Sequence, residues 1–302
     1  FVVANLETTL VETPPYSGYP SFRSPAQLAL ALADAGVDVA VTANNHSLDG
    51  GAKGVGSTID ILEQYGVKST GTFRDSVDYK ARNPLWLNKK DLKIALLAYT
   101  YGTNGISVPK GSEYLVNLWD DTYNYEGYKE QVKKDIERLR DKVDVLIVAM
   151  HWGREYTHIP TDLEKKTALF LAELDVDIII GTHPHVIQPV EFIDDTLVFY
   201  SLGNFISAQT SSSCSNYKCN VGLMSSLTIK KSILDNEIKI ELENIKNNLI
   251  YTYHDNYKNF KVIPFSNPKI KEYLLNYDDI YNQYSGIIET TDKRISTVSP
   301  GI

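Results

Sequence analysis

The sequence predicts an α/β fold with mixed sheets, and three observations carry that prediction. Strand and helix patterns alternate through the first two-thirds of the chain. The strands in that part read as unbroken apolar runs, the pattern of strands buried on both faces. After Tyr200 the pattern changes to segments of alternating polarity around a turn signal, as in antiparallel strands. With 43% hydrophobic residues in a chain of 302, there is apolar surface enough for a substantial core, and disorder is excluded.

The first helix is predicted over residues 26–35, an Ala- and Leu-rich stretch stopped by Gly36, and the β-branched run at 37–42 follows as a strand. The order then repeats. A helix over 56–65 precedes a strand over 92–99, a helix over 127–141 precedes a strand over 143–150, and a helix over 161–174 precedes a strand over 176–180. A further strand is expected over 197–201. Residues 223–230 and 237–244 alternate around Asp235-Asn236 and predict a hairpin, with a third strand over 260–265. One domain with mixed sheets is therefore expected over 1–266. Residues 267–302 are expected to form a helical piece over 270–281 and a polar, Tyr-rich tail.

A net charge of −8 excludes nucleic acid as a partner, because backbone-phosphate binding rests on clustered Lys and Arg. No apolar run is long enough to span a bilayer and no signal peptide is present. Phe1-Val2-Val3-Ala4 reads as the interior of a buried strand, so the natural N-terminus is expected upstream, where a signal sequence or membrane anchor would stand. Cys214 and Cys219 lie in a Ser/Asn-rich loop, either as a small-loop disulfide of an oxidising compartment or as two unrelated thiols.

The chemistry gathers at strand ends, where ligands collect in open α/β sheets. His46 follows the strand at 37–42, His151 the strand at 143–150, and His183 and His185 the strand at 176–180. Upstream stand Asn5-Leu6-Glu7. Imidazoles, an amide and a carboxylate form a donor set suited to borderline divalent metals, which points to a metal-dependent hydrolase. His183 and His185, two apart in an extended segment, would share a face. Arg23 and Arg154 either hold an anionic substrate by bidentate contact or form surface ion pairs. Asn204, placed with them as a substrate-binding residue, orders the metal loop or shapes the turn after 197–201. Gly50-Gly51-Ala52-Lys53-Gly54 lacks phosphate-loop spacing and is expected to be a flexible turn into the next helix. His254, alone near a Tyr-rich strand, carries no role.

Five motifs make a specific resemblance. Asn5-Leu6-Glu7-Thr8, Asn44-Asn45-His46 with Asp49, His151-Trp152-Gly153 with Glu155-Tyr156, Gly181-Thr182-His183-Pro184-His185-Val186 and Tyr200-Ser201-Leu202-Gly203-Asn204-Phe205 stand in the order and spacing of the bacterial CapA family. That family comprises capsule-synthesis proteins associated with poly-γ-glutamate and resembles the calcineurin-like metallophosphoesterases. The resemblance implies a four-layer α/β/β/α sandwich around two divalent ions (Mn, Zn, Fe or Mg). Asn45, His151 and His183 would bind one ion, His185 the other, and Glu7 would bridge. His46 would protonate the leaving oxygen with Asp49 orienting it. The family's opening Gly-Asp motif is absent from this sequence, so the second metal position is expected to be weak.

The resemblance further implies an extracellular or cell-surface, membrane-anchored protein. Its partners would be an anionic polymer, poly-γ-glutamate, or a phosphoester substrate, together with other membrane capsule-synthesis proteins. Two functions follow: a metal-dependent hydrolase, favoured by an intact His46, or a non-catalytic surface component that binds or exports the polyanion.

Overall fold

Short apolar strands in parallel pairs carry the candidate site residues at their ends. The structure is a computed structural model that describes residues 1–302 except 120–123, 210–213, 215–216, 235–236, 289–291 and 302. The chain divides into two compact units, Phe1–His151 and Trp152–Ile302. Each is of the predicted α/β class with several sheets.

The first unit runs β1 (Val3–Asn5), β2 (Thr9–Val11), β3 (Arg23–Pro25), α1 (Gln27–Asp34), β4 (Val39–Val41), α2 (Gly51–Gln64), β5 (Lys68–Thr70), α3 (Ser76–Arg82), β6 (Leu85–Lys89), β7 (Leu92–Thr100), α4 (Tyr125–Arg140) and β8 (Val145–His151). β4 pairs in parallel with β1 and β5, aligning Ala4, Ala40 and Ser69. β7 pairs in parallel with β8, so that Thr100 lies opposite His151, and antiparallel with β6. All three residues of β4 and all seven of β8 are buried, which is why these strands read as continuous apolar runs. Leu6, Leu10, Ala29, Ala40, Ile61 and Leu62 form one core cluster beneath α1 and α2.

Helix α2 begins five residues earlier than its periodicity predicts, because Gly50 caps it and Gly51 and Gly54 lie within its first turn rather than in a flexible turn. Gly51 adopts φ +61°, where an L side chain is strained, and a Cβ on Gly50 would lie 2.7 Å from the Gly54 Cα. The glycines thus permit an abrupt helix entry straight after Asp49. Once formed, α2 serves β2: Leu10 N donates to Thr58 Oγ1 at 2.8 Å, and Ser57 Oγ donates to the Leu10 carbonyl at 2.6 Å. Helix α3, which hydrophobic periodicity does not reveal, is started by Asp75, whose carboxylate accepts from the amides of Val77 and Asp78.

The second unit runs α5 (Asp162–Ala172), β9 (Ile178–Thr182), β10 (Val190–Ile193), β11 (Thr196–Phe199), β12 (Val221–Leu234), β13 (Glu237–Asp255), β14 (Lys258–Pro264), α6 (Ile270–Tyr273), α7 (Tyr277–Ile288) and β15 (Ile295–Thr297). Thr161 and Glu164 form a reciprocal capping box at the start of α5. β11 pairs in parallel with β9 and antiparallel with β10. β13 is flanked by β12 and β14, both antiparallel, and pairs in parallel with β15 of the tail at Ile245 and Ile295.

The hairpin strands extend well past their predicted ends. Alternation fails at Asn244, where φ is +53° and the register shifts between Ser226 and Thr228. That bulge inverts the apolar phase while pairing continues beyond it. The expected turn at Asp235-Asn236 lies outside the described residues. The predicted helix over 270–281 is two helices, separated where buried Leu274 turns extended at φ −144°.

Under β7, the Tyr99 hydroxyl donates to Asp135 Oδ2 of α4 at 3.1 Å. Burial pushes the Asp135 carboxyl above its ordinary value, more strongly than Gln131, Tyr99 and the charge of Arg138 pull it down. A carboxyl whose folded pKa is raised disfavours folding once it ionises, and this cost vanishes below the unfolded pKa of about 4. Asp135→Asn keeps an acceptor for Tyr99 and removes the charge, so it should raise the Tm at pH 7 by a few degrees, on the order of 2 °C. The gain should shrink as pH falls towards 4, and thermal melts at the two pH values check both the sign and the trend.

Candidate functional site

In the first unit the site grows from the turn after β4. Ser47 Oγ donates to the Thr42 carbonyl at 2.6 Å, and the Asn44 amide donates to Ser47 Oγ at 2.9 Å, closing a tight turn. Asn44 Oδ1 accepts from the His46 amide at 3.1 Å, while its Nδ2 donates to the Leu6 carbonyl at 2.8 Å and Asn5 Oδ1 at 3.3 Å. Asn5 Nδ2 in turn donates to Glu7 Oε2 at 3.2 Å. Two amide side chains in series, Asn44 and Asn5, therefore couple the His46 turn to Glu7.

His46 Nδ1 lies 2.7 Å from Asp49 Oδ2, and that oxygen also accepts from the Phe22 amide at 2.6 Å. A carboxylate only accepts, so Nδ1 carries the proton towards Asp49, and Nε2 is the ring's other nitrogen. Both side chains are buried, and the Phe22 ring meets the imidazole edge-on at 4.4 Å between centroids. Asn45 sits alongside. Its Nδ2 donates to Asn104 Oδ1 at 3.1 Å, which turns Oδ1 towards His151, 3.0 Å from Nε2. Glu7 Oε1 is 3.7 Å from the same nitrogen.

These three atoms suit a divalent ion. Ligands about 2.1 Å from a common tetrahedral or octahedral centre stand about 3.0–3.4 Å apart. The Asn45–His151 spacing falls in that interval, and Glu7 needs to close by only a few tenths of an ångström. Asn5 holds Oε2 of Glu7, and Oε1 is the oxygen that lies 3.7 Å from His151 Nε2.

In the second unit, Glu155, His183 and His185 each offer a ligand atom, all within 4.8 Å of one another. His185 Nε2 lies 3.8 Å from Glu155 Oε1. The two histidines do not share a face of an extended strand, because β9 ends at Thr182 and both residues have positive φ, +101° and +59°. Left-handed backbone at non-glycine residues costs on the order of 1–3 kcal/mol each and is typical of functional turns. The turn leaves the rings 6.0 Å apart between centroids. Tyr156 stacks on His185 at 5.9 Å. Trp152 anchors the motif that carries Glu155, its indole nitrogen donating to the Tyr200 carbonyl at 2.9 Å. Cys214 and Cys219 form a disulfide packed against Val186 and Tyr156.

The candidate residues thus fall into two groups. Glu7, Asn45, His46, Asp49 and His151 lie together in the first unit, and His183, His185 and Asn204 together in the second. Arg23 stands next to Phe22 in β3; its Nε is buried without a hydrogen-bond partner among the described residues. Arg154 is exposed and forms no ion pair among them. Asn204 contacts His185, its Oδ1 lying 3.1 Å from Nδ1. His254 stacks on Tyr257 at the tip of the β13–β14 turn.

Asn104 and Glu155 carry no role in the sequence reading. Asn104 touches both Asn45 and His46, with its Nδ2 3.3–3.4 Å from the two ring nitrogens. Its signal was the Asn-Gly pair just past the strand predicted at 92–99, a strand end like the others but without a histidine.

Residues 1–209 match the family described as bacterial capsule synthesis protein PGA_cap. The chain is 30% identical over 181 residues to the capsule biosynthesis protein CapA of Bacillus anthracis, covering 59% of this chain and 42% of that protein. It is 28% identical over 179 residues to the PGA biosynthesis protein CapA of Bacillus subtilis (strain 168), covering 59% and 44%. Each alignment thus spans less than half of the relative's length. Among solved structures, a putative 5'-nucleotidase from Staphylococcus aureus, in complex with alpha-ketoglutarate, aligns with 86% of this chain and 47% of its own at 13% identity and a TM-score of 0.40.

The histidine turn depends on Gly181, where an added Cβ would overlap the backbone carbonyl of Tyr200. Because backbone cannot swing aside as a side chain does, Gly181→Ala should destabilise the protein by about 1–3 kcal/mol or more. Chemical denaturation checks this, and an unchanged midpoint would show that β9 and the Tyr200 strand are not as closely apposed as described.

Proposed function

Because this chain belongs to the bacterial capsule synthesis protein family PGA_cap, we propose that it works in capsule-polymer synthesis or export as a metal-dependent hydrolase of the phosphoesterase type. The observation that carries the hydrolase reading is the convergence of Asn45 Oδ1 and Glu7 Oε1 on His151 Nε2 beside an oriented His46–Asp49 pair. A binding site needs the ligands alone; a histidine held by a buried carboxylate is what proton transfer to a leaving group needs.

In this reading Glu7, Asn45 and His151 are the metal ligands of the first unit, and His183 and His185 those of the second. Two divalent ions are bound, drawn from Mn, Zn, Fe or Mg. Bound divalent ions supply Lewis-acid polarisation of a phosphoryl or carbonyl oxygen. His46, protonated at Nδ1 towards Asp49, delivers a second proton from Nε2 to the departing oxygen. Phe22 walls one side of the ring and limits water there. Arg23 and Arg154 hold anionic groups of the substrate, a phosphoester or an anionic polymer such as poly-γ-glutamate.

The relatives' roles in capsule and PGA biosynthesis support placement at the cell surface. Among the described residues, no helix is long and apolar enough to cross a membrane.

Turnover of an aryl phosphate with and without Mn²⁺ tests the reading. His46→Ala should lower kcat by roughly 10²–10⁴-fold and leave metal content unchanged, as expected for loss of a general acid. Asn45→Ala should lose metal. No metal-stimulated turnover in the parent protein would remove the hydrolase assignment, and equal metal loss in both variants would show the roles of the neighbours to be wrongly divided.

A further inference from the structure

The second unit holds a hydrogen-bonded relay that ends on His185 and begins at the disulfide. The Asn204 carboxamide stands in its middle. Oδ1 lies 3.1 Å from His185 Nδ1, while Nδ2 donates to the Cys219 backbone carbonyl at 3.2 Å and to Gln209 Oε1 at 2.7 Å. A peptide carbonyl can only accept, so the Cys219 contact decides which end of the carboxamide is nitrogen. Oδ1 must then face the imidazole. Since Oδ1 is also only an acceptor, Nδ1 of His185 carries the proton, and in the neutral ring the unshared pair falls on Nε2. That nitrogen is the one 3.8 Å from Glu155 Oε1, where a cation rather than a hydrogen bond reconciles two acceptors.

The ring face is held from the same source. Tyr156 stacks on His185, packs against the buried Cys214 and Cys219, and accepts at its hydroxyl from Gln209 Nε2 at 3.2 Å. Val186, the next residue after His185, belongs to that cluster. Edge and face of one imidazole are thus both supported by groups that rest on the Cys214–Cys219 bridge. Groups one step outside a metal's ligands commonly set the tautomer and orientation of a histidine ligand, and their loss typically weakens metal affinity 10–100-fold.

We propose that the Cys214–Cys219 disulfide is a positioning element for metal binding: it holds the Cys219 carbonyl against Asn204, which fixes His185 with its Nε2 lone pair towards Glu155 and His183. Asn204 is then a positioning residue that acts through His185. The inference rests on the reading of His185 as a metal ligand, and the test separates the two.

The full chain is compared with Cys214→Ser/Cys219→Ser, Asn204→Leu and His185→Ala. The first measurement is the His185 tautomer in metal-free protein, read by long-range ¹H–¹⁵N correlation at a pH where the ring is neutral. The second is affinity for Mn²⁺ and for Zn²⁺ by calorimetric titration. The parent protein should show His185 as a single Nδ1–H tautomer, and the double serine and Asn204→Leu variants a mixture of tautomers with affinity about 10–100-fold weaker. Should the double serine variant fail to fold, Asn204→Leu, which keeps the disulfide, carries the test of the relay. An Nε2–H tautomer in the parent, or parental tautomer and affinity in the double serine variant, would overturn the positioning role. Unchanged affinity in His185→Ala would instead overturn the ligand assignment on which it rests.

Discussion

A 3.0 Å contact between the Asn45 carboxamide oxygen and His151 Nε2 ties the turn after β4 to the last residue of β8, across 106 residues of sequence. Both groups are buried, and buried polar atoms without partners are costly, so each stabilises the placement of the other. The rest of the first unit's donor set is arranged around this pair. Asn104 fixes which end of Asn45 faces inward, the Tyr101 ring stacks on His151 at 6.2 Å, and Asn44 and Asn5 carry the same alignment to Glu7. The His46–Asp49 pair sits on the same turn and is locked from the other side by the Phe22 amide. Under the proposed function, little reorganisation would be needed for such a set to take up an ion.

The longer apolar runs of the first two-thirds were the legible part of the sequence, while short strands such as β2, β3, β5 and β10 were not. Buried parallel strands such as β4, β7 and β8 announce themselves as apolar runs, and the histidines at the ends of β4 and β8 stand out against those runs. What stayed hidden has specific physical causes. Asn104 carries no charge and no metal-ligand signature, and its importance comes from a left-handed turn at φ +50° that only the folded chain reveals. The shared face expected for His183 and His185 rests on an extended segment, whereas the chain leaves β9 at Thr182 and turns, with both histidines at positive φ. The glycines at 50–54 looked flexible because composition alone cannot separate a loose loop from a tight helix entry. In the hairpin, one bulge at Asn244 was enough to interrupt a period-2 pattern that the strand itself survives.

The protein's net charge of −8 contrasts with the composition of the two donor groups. Each contains a single carboxylate, Glu7 in the first and Glu155 in the second; the other donors are neutral amides or imidazoles. Under the proposed function, bound divalent ions would leave each group net positive, and bound ions are the largest local charges in such sites. An anionic polymer or phosphoester would then be attracted locally by an acidic protein. That attraction is screened over about 8 Å at physiological ionic strength, so it acts on groups at the mouth of the site rather than along a long polymer.

The central claim is that Asn45 and His151 come together as ligands, not merely as a buried hydrogen-bonded pair. Anomalous diffraction from crystals soaked in Mn²⁺ tests it most directly. The account predicts a peak about 2.1 Å from both Asn45 Oδ1 and His151 Nε2, with Glu7 Oε1 drawn to a similar distance. Crystals that show no anomalous peak there, and that keep the Asn45–His151 hydrogen bond unbroken, would contradict it.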